Sequence, residues 1–430
     1  MSTSDISTHP PSAGQAVPAE HSGAPSRGAI VVLIVTAFLN AMGIGLVTPV
    51  LPFIVQRYVS DHSALATTIG WIASLYAICQ FLAAPGLGAL SDRYGRRPIL
   101  LICLLGSAIG YLLFGLGGAL WVLFLGRIID GLTGGDFSIL SAYIGDVTPP
   151  KERGRYFGII GAVFGVGFIV GPAIGGFASR ISYEAPLYIA AGVTAATILI
   201  SYVALPESLH KENRASSVQL PDLNLFKQLG QAFAMPQLRW LLLTAFCYAL
   251  PFAVLQSTWA VLLIDSLGWA PDRISFLFLI VGTLDILMQG VLSGRLLKIF
   301  SETTLTIAGF AFSIATYLLM GAVVFVAAPV LVYAGIVLFG ISSGLIEPAL
   351  RGLISQAAGP REQGVVQGSS QSIQSLAMIV GPLVGAALYT QLGHASPYWL
   401  GAVIFGLGML TTWLAVPAIR TSQLVVDTQH

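Results

Sequence analysis

The sequence predicts an all-α integral membrane protein with twelve transmembrane helices in two pseudo-symmetric bundles of six. Three observations support this fold class. Of the 430 residues, 55% are apolar and only 9% are charged, whereas a soluble domain is about 25% charged. The apolar residues form twelve runs, each close to the roughly 20 residues that a helix needs to cross a bilayer. The two halves of the chain also share motifs at a constant offset.

The twelve apolar runs and the charges between them predict the topology. The predicted spans lie near 29–55, 67–90, 98–118, 121–145, 156–179, 185–205, 238–263, 273–294, 303–327, 329–352, 364–391 and 396–418. With the N-terminus inside, the inner side receives sixteen of the 20 Lys and Arg residues, and the outer side receives only Arg57, Arg180 and Arg273. Since inner loops carry an excess of cations, both termini are predicted to be cytoplasmic.

The longest polar connection, 206–236, is predicted to be a cytoplasmic linker between two bundles, 28–205 and 237–418. Residues 1–27 are rich in Ser, Pro and Ala and have no apolar core, so we expect a disordered cytoplasmic tail rather than a signal peptide. Residues 419–430 are predicted to be a second cytoplasmic tail.

The two bundles repeat at an offset of 210 residues. Gly171-Pro172 corresponds to Gly381-Pro382, and the segment 145–158 aligns with 355–368. Internal repeats of this kind are typical of membrane transporters, whose substrate sites lie near the bilayer midplane between the halves.

The segment 88–98 carries one acid and three arginines between two apolar runs. Charges at this density do not lie in hydrocarbon, so the segment is predicted to be a short loop at one membrane face. It resembles the G-x-L-x-D-R-x-G-R-K/R signature of the major facilitator superfamily, which implies a cytoplasmic gate. The predicted gate residues are Gly88, Asp92, Arg93, Gly95, Arg96 and Arg97.

The fifth span has a regular spacing of small residues and proline: Gly158, Gly167, Gly171, Pro172, Gly175 and Gly176. Small residues four apart let a neighbouring helix approach closely, and proline bends the helix. General small-residue packing is one interpretation of this pattern. The spacing also resembles the antiporter motif of the same superfamily, which implies export rather than uptake.

A charge at mid-bilayer costs ~2.5–3.5 kcal/mol on insertion scales, so each one requires a reason. The candidates for proton coupling are Arg127, Asp130, Asp136, Asp285 and Glu347. Arg127 and Asp130 are three residues apart and can pair on one helix face, as a proton site or as a structural ion pair. Asp136 lies about 120° further around an ideal helix, so the two acids can share a cavity only if the intervening glycines distort the turn.

The acids of the second half have alternatives of their own. Glu347 precedes Pro348, which marks irregular backbone, but it can also pair with Arg351 four residues later. Asp285 is either a cavity acid or an acid held in helix packing. We expect no metal site, because no histidine lies within a predicted span.

The first half resembles the tetracycline/proton antiporters in particular. The resemblance rests on 40–52, on 76–85, on Arg127 with the glycines that follow it, and on 206–208. Asn40 and Gly110 stand where those exporters have aspartates, and we expect Asp130 to serve instead. Polar residues within the spans are candidates for the substrate cavity: Asn40, Tyr76, Gln80, Gln256, Gln371 and Gln374. For the glutamines, hydrogen bonding between helices is the alternative interpretation and the more common role.

Together these features predict a secondary active transporter that exports apolar or amphipathic small molecules in exchange for protons. The resemblance implies a monomer in a bacterial inner membrane, driven by the proton gradient without a cofactor. A sugar exporter, a lipid flippase and an uncoupled facilitator remain alternatives on the same fold. The sequence has no phosphate loop, no nucleophile motif and no signalling domain, so an enzyme or receptor is disfavoured. The net charge of +1 gives no indication of nucleic-acid binding.

Overall fold

The computed structural model describes residues 27–59, 61–148, 152–215, 230, 233, 235–357 and 363–427. All regular secondary structure in these residues is helical. Ten of the described helices are long and apolar enough to cross a membrane.

Most of the helices follow one another with short connections, and the long segment 205–235 separates α8 from α9. They are α1 (Arg27–Val47), α2 (Leu51–Val55), α3 (His62–Tyr94), α4 (Arg96–Leu116), α5 (Leu120–Leu132), α6 (Asp136–Val147), α7 (Arg153–Ala178), α8 (Ala185–Ala204), α9 (Pro236–Leu267), α10 (Pro271–Leu287), α11 (Ser293–Ile299), α12 (Glu302–Val323), α13 (Pro329–Gln356), α14 (Gln363–Gln391) and α15 (Ser396–Asp427).

Three predicted spans are not continuous α-helices. The run 29–55 is divided at 48–50, where Pro49 disfavours helical geometry for the residue before it. The run 121–145 is divided between α5 and α6 at 133–135, where two glycines follow a threonine. The run 273–294 contains a turn of π-helix at Met288–Leu292. The last helix also continues past the predicted end at 418.

Two sets of helix contacts organise the first half. In this half, α1 packs on α7 and α8, and α4 packs on α5 and α8. A Cβ atom added at Gly171 of α7 would lie 2.6 Å from the main-chain oxygen of Met42 in α1. Glycine at this position therefore allows contact between the two backbones, as small residues do in membrane helices.

The second half is built in the same way. In this half, α9 packs on α14 and α15, and α12 packs on α13 and α15. The repeat partner of Gly171 is Gly381, where an added Cβ would lie 2.5 Å from the Cβ of Ala253 in α9. The internal repeat seen in the sequence therefore corresponds to equivalent helix contacts in both halves.

Among the described residues, two helix pairs make the most extensive contacts between the halves, α3 with α14 and α7 with α10, and α3 also contacts α9. The hydroxyl of Ser74 in α3 donates to the main-chain oxygen of Ile379 in α14 at 2.7 Å. Arg180, just after α7, forms an ion pair with Asp272 of α10 at 3.1 Å. The Arg180–Asp272 pair lies at the ends of α7 and α10 that are predicted to face outward.

Candidate functional site

The acid of α5 is enclosed by two partners. Asp130 is only 6% exposed, and its carboxylate accepts a hydrogen bond from Ser107 of α4 at 2.7 Å. The guanidinium of Arg127, one turn earlier on the same helix, lies 3.2 Å from the other carboxylate oxygen. Asp130 is therefore held by both a cation and a hydroxyl donor in the interior of the first half.

Aromatic rings hold Arg127 in place. Its guanidinium carbon lies 4.9 Å from the ring centre of Phe114 and 5.5 Å from that of Tyr76. Attraction between a cation and the face of a ring strengthens when both are removed from water. Tyr76, which was predicted to line the cavity, therefore contacts the guanidinium of the Arg127–Asp130 pair.

The division between α5 and α6 separates the two acids of the fourth span. Asp136 is the first residue of α6, and its carboxylate accepts a hydrogen bond from the amide of Asn40 in α1. The amide of Gln80 donates to the main-chain oxygen of Gly134 at 3.0 Å and so satisfies a carbonyl in the irregular turn. Asp130 and Asp136 therefore have different partners, although the turn between them is irregular.

In the second half, Asp285 lies beside a serine of the neighbouring helix. The hydroxyl of Ser343 in α13 donates to the carboxylate of Asp285 in α10 at 2.6 Å. A Cβ atom added at Gly340 would lie 2.7 Å from the Cβ of Leu284, and one added at Gly344 would overlap the side chain of Met288. These two glycines flank Ser343, so α13 approaches α10 closely enough for the serine to reach the acid.

A cavity of about 930 Å³ lies between the two halves. Aromatic and small residues form most of its wall, and its polar side chains are Thr48, Gln256, Asp285, Gln289 and Arg351. A volume of this size and an apolar wall with few polar groups are typical of sites for small molecules.

The cavity is narrow at one end and open at the other. An added Cβ at Gly176 of α7 would overlap Ser275 of α10, whereas Gly158 and Gly165 of α7 have open space beside them. The helices α7 and α10 therefore diverge toward the end of the cavity that carries Arg351, a residue whose side chain is 70% exposed. This open end is the one predicted to be cytoplasmic.

The predicted gate forms a cluster within the first half. The side chain of Arg96 pairs with Asp92 at 2.6 Å and with Asp146 of α6 at 3.0 Å. Glu207, which follows α8, accepts hydrogen bonds from the main-chain nitrogens of Arg96 at 2.8 Å and Arg97 at 3.3 Å. The cluster joins α3, α4, α6 and the segment after α8.

Gly95 has two reasons to be glycine. Its φ is +111°, which residues with side chains rarely adopt, and an added Cβ would overlap the carboxylate of Glu207. The other gate residues lie further out: Arg93 is exposed over the ring of Tyr94, and Gly88 has open space beside it.

The remaining candidate residues of the second half differ in whether they line the cavity. Glu347 pairs with Arg351 at 2.5 Å, which is the local alternative predicted for it. Gln256 lines the cavity, whereas Gln371 and Gln374 are exposed on α14 outside the residues that line it. Among the described residues, no group of three His, Cys, Asp or Glu is placed to hold a metal ion.

The antiporter-motif residues serve two purposes. Three of the six face α1, because added Cβ atoms at Gly167, Gly171 and Gly175 would crowd Ala41, Met42 and Leu46. The others face the second half, since Gly176 meets α10, and both Gly158 and Pro172 line the cavity.

Several residues of the site were not predicted. Ser107 is the one serine of α4, and Ser343 is one of three serines in α13. Nothing in the local pattern distinguishes either from other buried serines. Asp146 and Glu207 carry charge near the inner face, and their distance in sequence from 88–98 conceals their contacts with the gate.

Comparison with known proteins gives consistent matches over most of the chain. The family model described as Major Facilitator Superfamily matches residues 33–382 and 241–426. The tetracycline resistance protein of class H from Pasteurella multocida is 33% identical over 396 residues, covering 90% of this chain and 96% of that protein. The class C protein from Escherichia coli is 34% identical over 397 residues, covering 92% and 97%.

Solved structures with the same fold include that of the human organic anion transporter MFSD10 (TETRAN). It has a TM-score of 0.68 and 24% sequence identity to this chain, and the match covers 90% of this chain and 99% of that one. This likeness concerns the fold alone.

Proposed function

The chain belongs to the Major Facilitator Superfamily, and we propose that it is a proton-coupled exporter of apolar or amphipathic small molecules. The resemblance to this superfamily predicted from the segment 88–98 is confirmed. Relatives named for tetracycline resistance support export, because resistance to a compound follows from its removal from the cell. The cavity between the halves is the proposed substrate site.

We propose that the chain crosses the membrane twelve times. Ten continuous helices meet the requirement for length and apolarity, and the divided segments α5–α6 and α10–α11 would supply the other two crossings. The proposed bundles are 28–205 and 237–418, joined by the cytoplasmic linker 206–236. The tails 1–27 and 419–430 would be cytoplasmic as well, as the excess of cations on that side supports.

Transport is proposed to proceed by alternating access, in which the two halves rock about the cavity. In the described conformation, the outward ends are in contact through Arg180 and Asp272, and the inward ends of α7 and α10 are apart. A substrate would therefore enter from the cytoplasm in this state. We propose that the cluster of Asp92 and Arg96 holds the inner ends of the first-half helices together as a unit that closes against the second half.

The observation that carries proton coupling is the enclosed carboxylate of Asp130. It lies in the interior of the first half between Arg127 and Ser107. Protonation would neutralise the carboxylate and weaken its attraction to Arg127. The guanidinium could then move, so that proton binding would change the arrangement of the helices. The proton gradient would be the sole energy source, with no cofactor, and the unit would be a monomer in a bacterial inner membrane.

The test is export measured in inverted membrane vesicles that carry an imposed proton gradient. Asp130→Asn is expected to abolish gradient-driven uptake of a substrate into these vesicles, because asparagine does not exchange a proton. Glu212→Gln, at an exposed position outside the helices of both halves, is the matched control and should transport as the wild type does.

Two outcomes would contradict the proposal. Gradient-driven transport that persists in Asp130→Asn would exclude Asp130 as the coupling group. Transport by the wild type that continues unchanged when a protonophore collapses the gradient would instead favour an uncoupled facilitator.

A further inference from the structure

The cavity holds one acid whose charge no protein cation neutralises. Asp285 lines the wall and accepts its hydrogen bond from Ser343, a neutral donor. Among the described residues, no Lys, Arg or His nitrogen lies within ion-pair distance of this carboxylate. Arg351 also lines the cavity, but its guanidinium is already paired with Glu347 at 2.5 Å. The carboxylate of Asp285 therefore leaves an unneutralised negative charge in the cavity wall.

Aromatic rings surround the same space. The aromatic residues of the wall are Phe157, Phe168, Phe252, Trp259, Phe278 and Phe339. The rings of Phe252 and Phe339 are nearly parallel, with an interplanar angle of 10° and centres 6.1 Å apart. Trp259 meets Phe278 edge to face at 4.9 Å. Such rings offer flat apolar surfaces and electron-rich faces, both of which attract a planar cation.

The backbone near Asp285 is also irregular. The π-helical turn at Met288–Leu292 begins three residues after the acid and contains Gln289, another residue of the wall. Turns of this type inside α-helices are frequent at functional sites. Asp285 and Gln289, which are four residues apart, both line the cavity at this irregular part of the span.

We propose that the cavity selects lipophilic aromatic cations and that the carboxylate of Asp285 is the counter-ion of the bound substrate. This inference rests on the proposed function and narrows its substrate class. When a ligand displaces water from the cavity, the carboxylate of Asp285 loses its solvation with no protein cation nearby, and a cationic ligand supplies the missing charge. Asp130 cannot take this role, because Arg127 already neutralises it and Asp130 is not part of the cavity wall.

Equilibrium binding to the purified full-length protein tests the inference without any need for proton coupling. Ethidium is a planar aromatic cation of fixed charge, and Nile red is a planar aromatic probe without charge. Quenching of tryptophan fluorescence reports occupancy, because Trp259 lies in the wall. Asp285→Asn is expected to weaken ethidium binding about tenfold, which corresponds to ~1.4 kcal/mol, and to leave Nile red within about twofold.

Two further variants complete the design. Asp285→Glu keeps the charge and should retain ethidium binding within a few-fold. Asp130→Asn should bind ethidium as the wild type does while failing in the vesicle assay, which separates substrate binding from coupling. Retained binding of Nile red by Asp285→Asn shows that the cavity is still folded.

The inference is overturned if Asp285→Asn binds ethidium as tightly as the wild type, or if ethidium and Nile red weaken equally in this variant. It is also overturned if the wild type binds Nile red but not ethidium. Charge-selective binding by a wild-type protein that shows no proton-driven transport would refute the proposed coupling alone.

Discussion

Each half of the chain places an aspartate beside a serine of a neighbouring helix, but the surroundings of the two acids differ. Asp130 accepts a hydrogen bond from Ser107 at 2.7 Å and also meets Arg127, so its charge is neutralised within the first half. Asp285 accepts a hydrogen bond from Ser343 at 2.6 Å and faces the cavity. The comparison shows that an acid–serine contact alone does not define a role, because the nearby cation decides whether a ligand is needed.

The difference follows from the residue one turn earlier. Arg127 stands three positions before Asp130, on the same face of α5. The corresponding position before Asp285 is Gly282, where an added Cβ would overlap Ile169 of α7. The close contact between the halves excludes a long cationic side chain there, so the acid of α10 remains open to the cavity.

The largest expected effect comes from removal of the guanidinium in the first half. Arg127→Gln leaves the buried carboxylate of Asp130 without its cation, and loss of one partner from a buried pair costs about 3–5 kcal/mol. We expect a clear fall in the unfolding temperature of the detergent-solubilised protein. Asp285→Asn, which removes a carboxylate without a cationic partner, is the matched variant and should change that temperature little.

The double variant Arg127→Gln/Asp130→Asn provides the control, because it removes both charges together. We expect it to recover much of the lost stability. Equal unfolding temperatures for Arg127→Gln and the wild type would show that the pair does not neutralise a buried charge, and the contrast between the halves would fail.

The two serines allow a finer comparison. Ser107→Ala removes a hydrogen bond to a buried charged group, which is worth about 1.5–3 kcal/mol. Ser343→Ala should cost less, because the half-buried Asp285 can accept from water in the cavity instead. Thermal unfolding of both variants under identical conditions measures the difference. A larger loss of stability for Ser343→Ala would contradict the view that Asp130 is shielded from water and that Asp285 faces water in the cavity.

The smallest effect is expected at the end of the helices that is proposed to face outward. The ion pair of Arg180 with Asp272 is largely exposed, and such pairs contribute about 0.2–1 kcal/mol. Arg180→Gln should therefore increase the outward-open population by no more than about fivefold. The measurement is labelling from outside of a cysteine introduced at Thr48 in the cavity wall, in a background without the native cysteines.

The charge-reversed pair Arg180→Asp/Asp272→Arg tests the cause of this change. It should restore the labelling rate of the parent protein, since the attraction is restored with opposite polarity. If both variants label at the parent rate, the contact between the halves depends on helix packing, such as that of Gly176 on Ser275, and not on charge.

Much of the architecture is accessible from local sequence patterns. A run of apolar residues has one physical consequence in a membrane, because helices satisfy their own backbone hydrogen bonds, so helices form wherever such runs lie. The positions of Pro49 and of the glycines near 134 mark where helices end, but the pattern does not reveal whether a glycine bends a helix or interrupts it. That distinction depends on a neighbour such as Gln80, which satisfies the exposed carbonyl in the turn before α6.

The same distinction between local pattern and helix packing applies to the candidate site. The acids within apolar runs and the pairing of Arg127 with Asp130 can be predicted, because charges in hydrocarbon are rare and residues three apart share a helix face. Contacts between distant segments, such as Asn40 with Asp136 or Ser343 with Asp285, arise only when helices pack. The patterns along the chain thus identify which groups carry charge, whereas the packing of the helices establishes which of those charges is already neutralised and which faces a ligand.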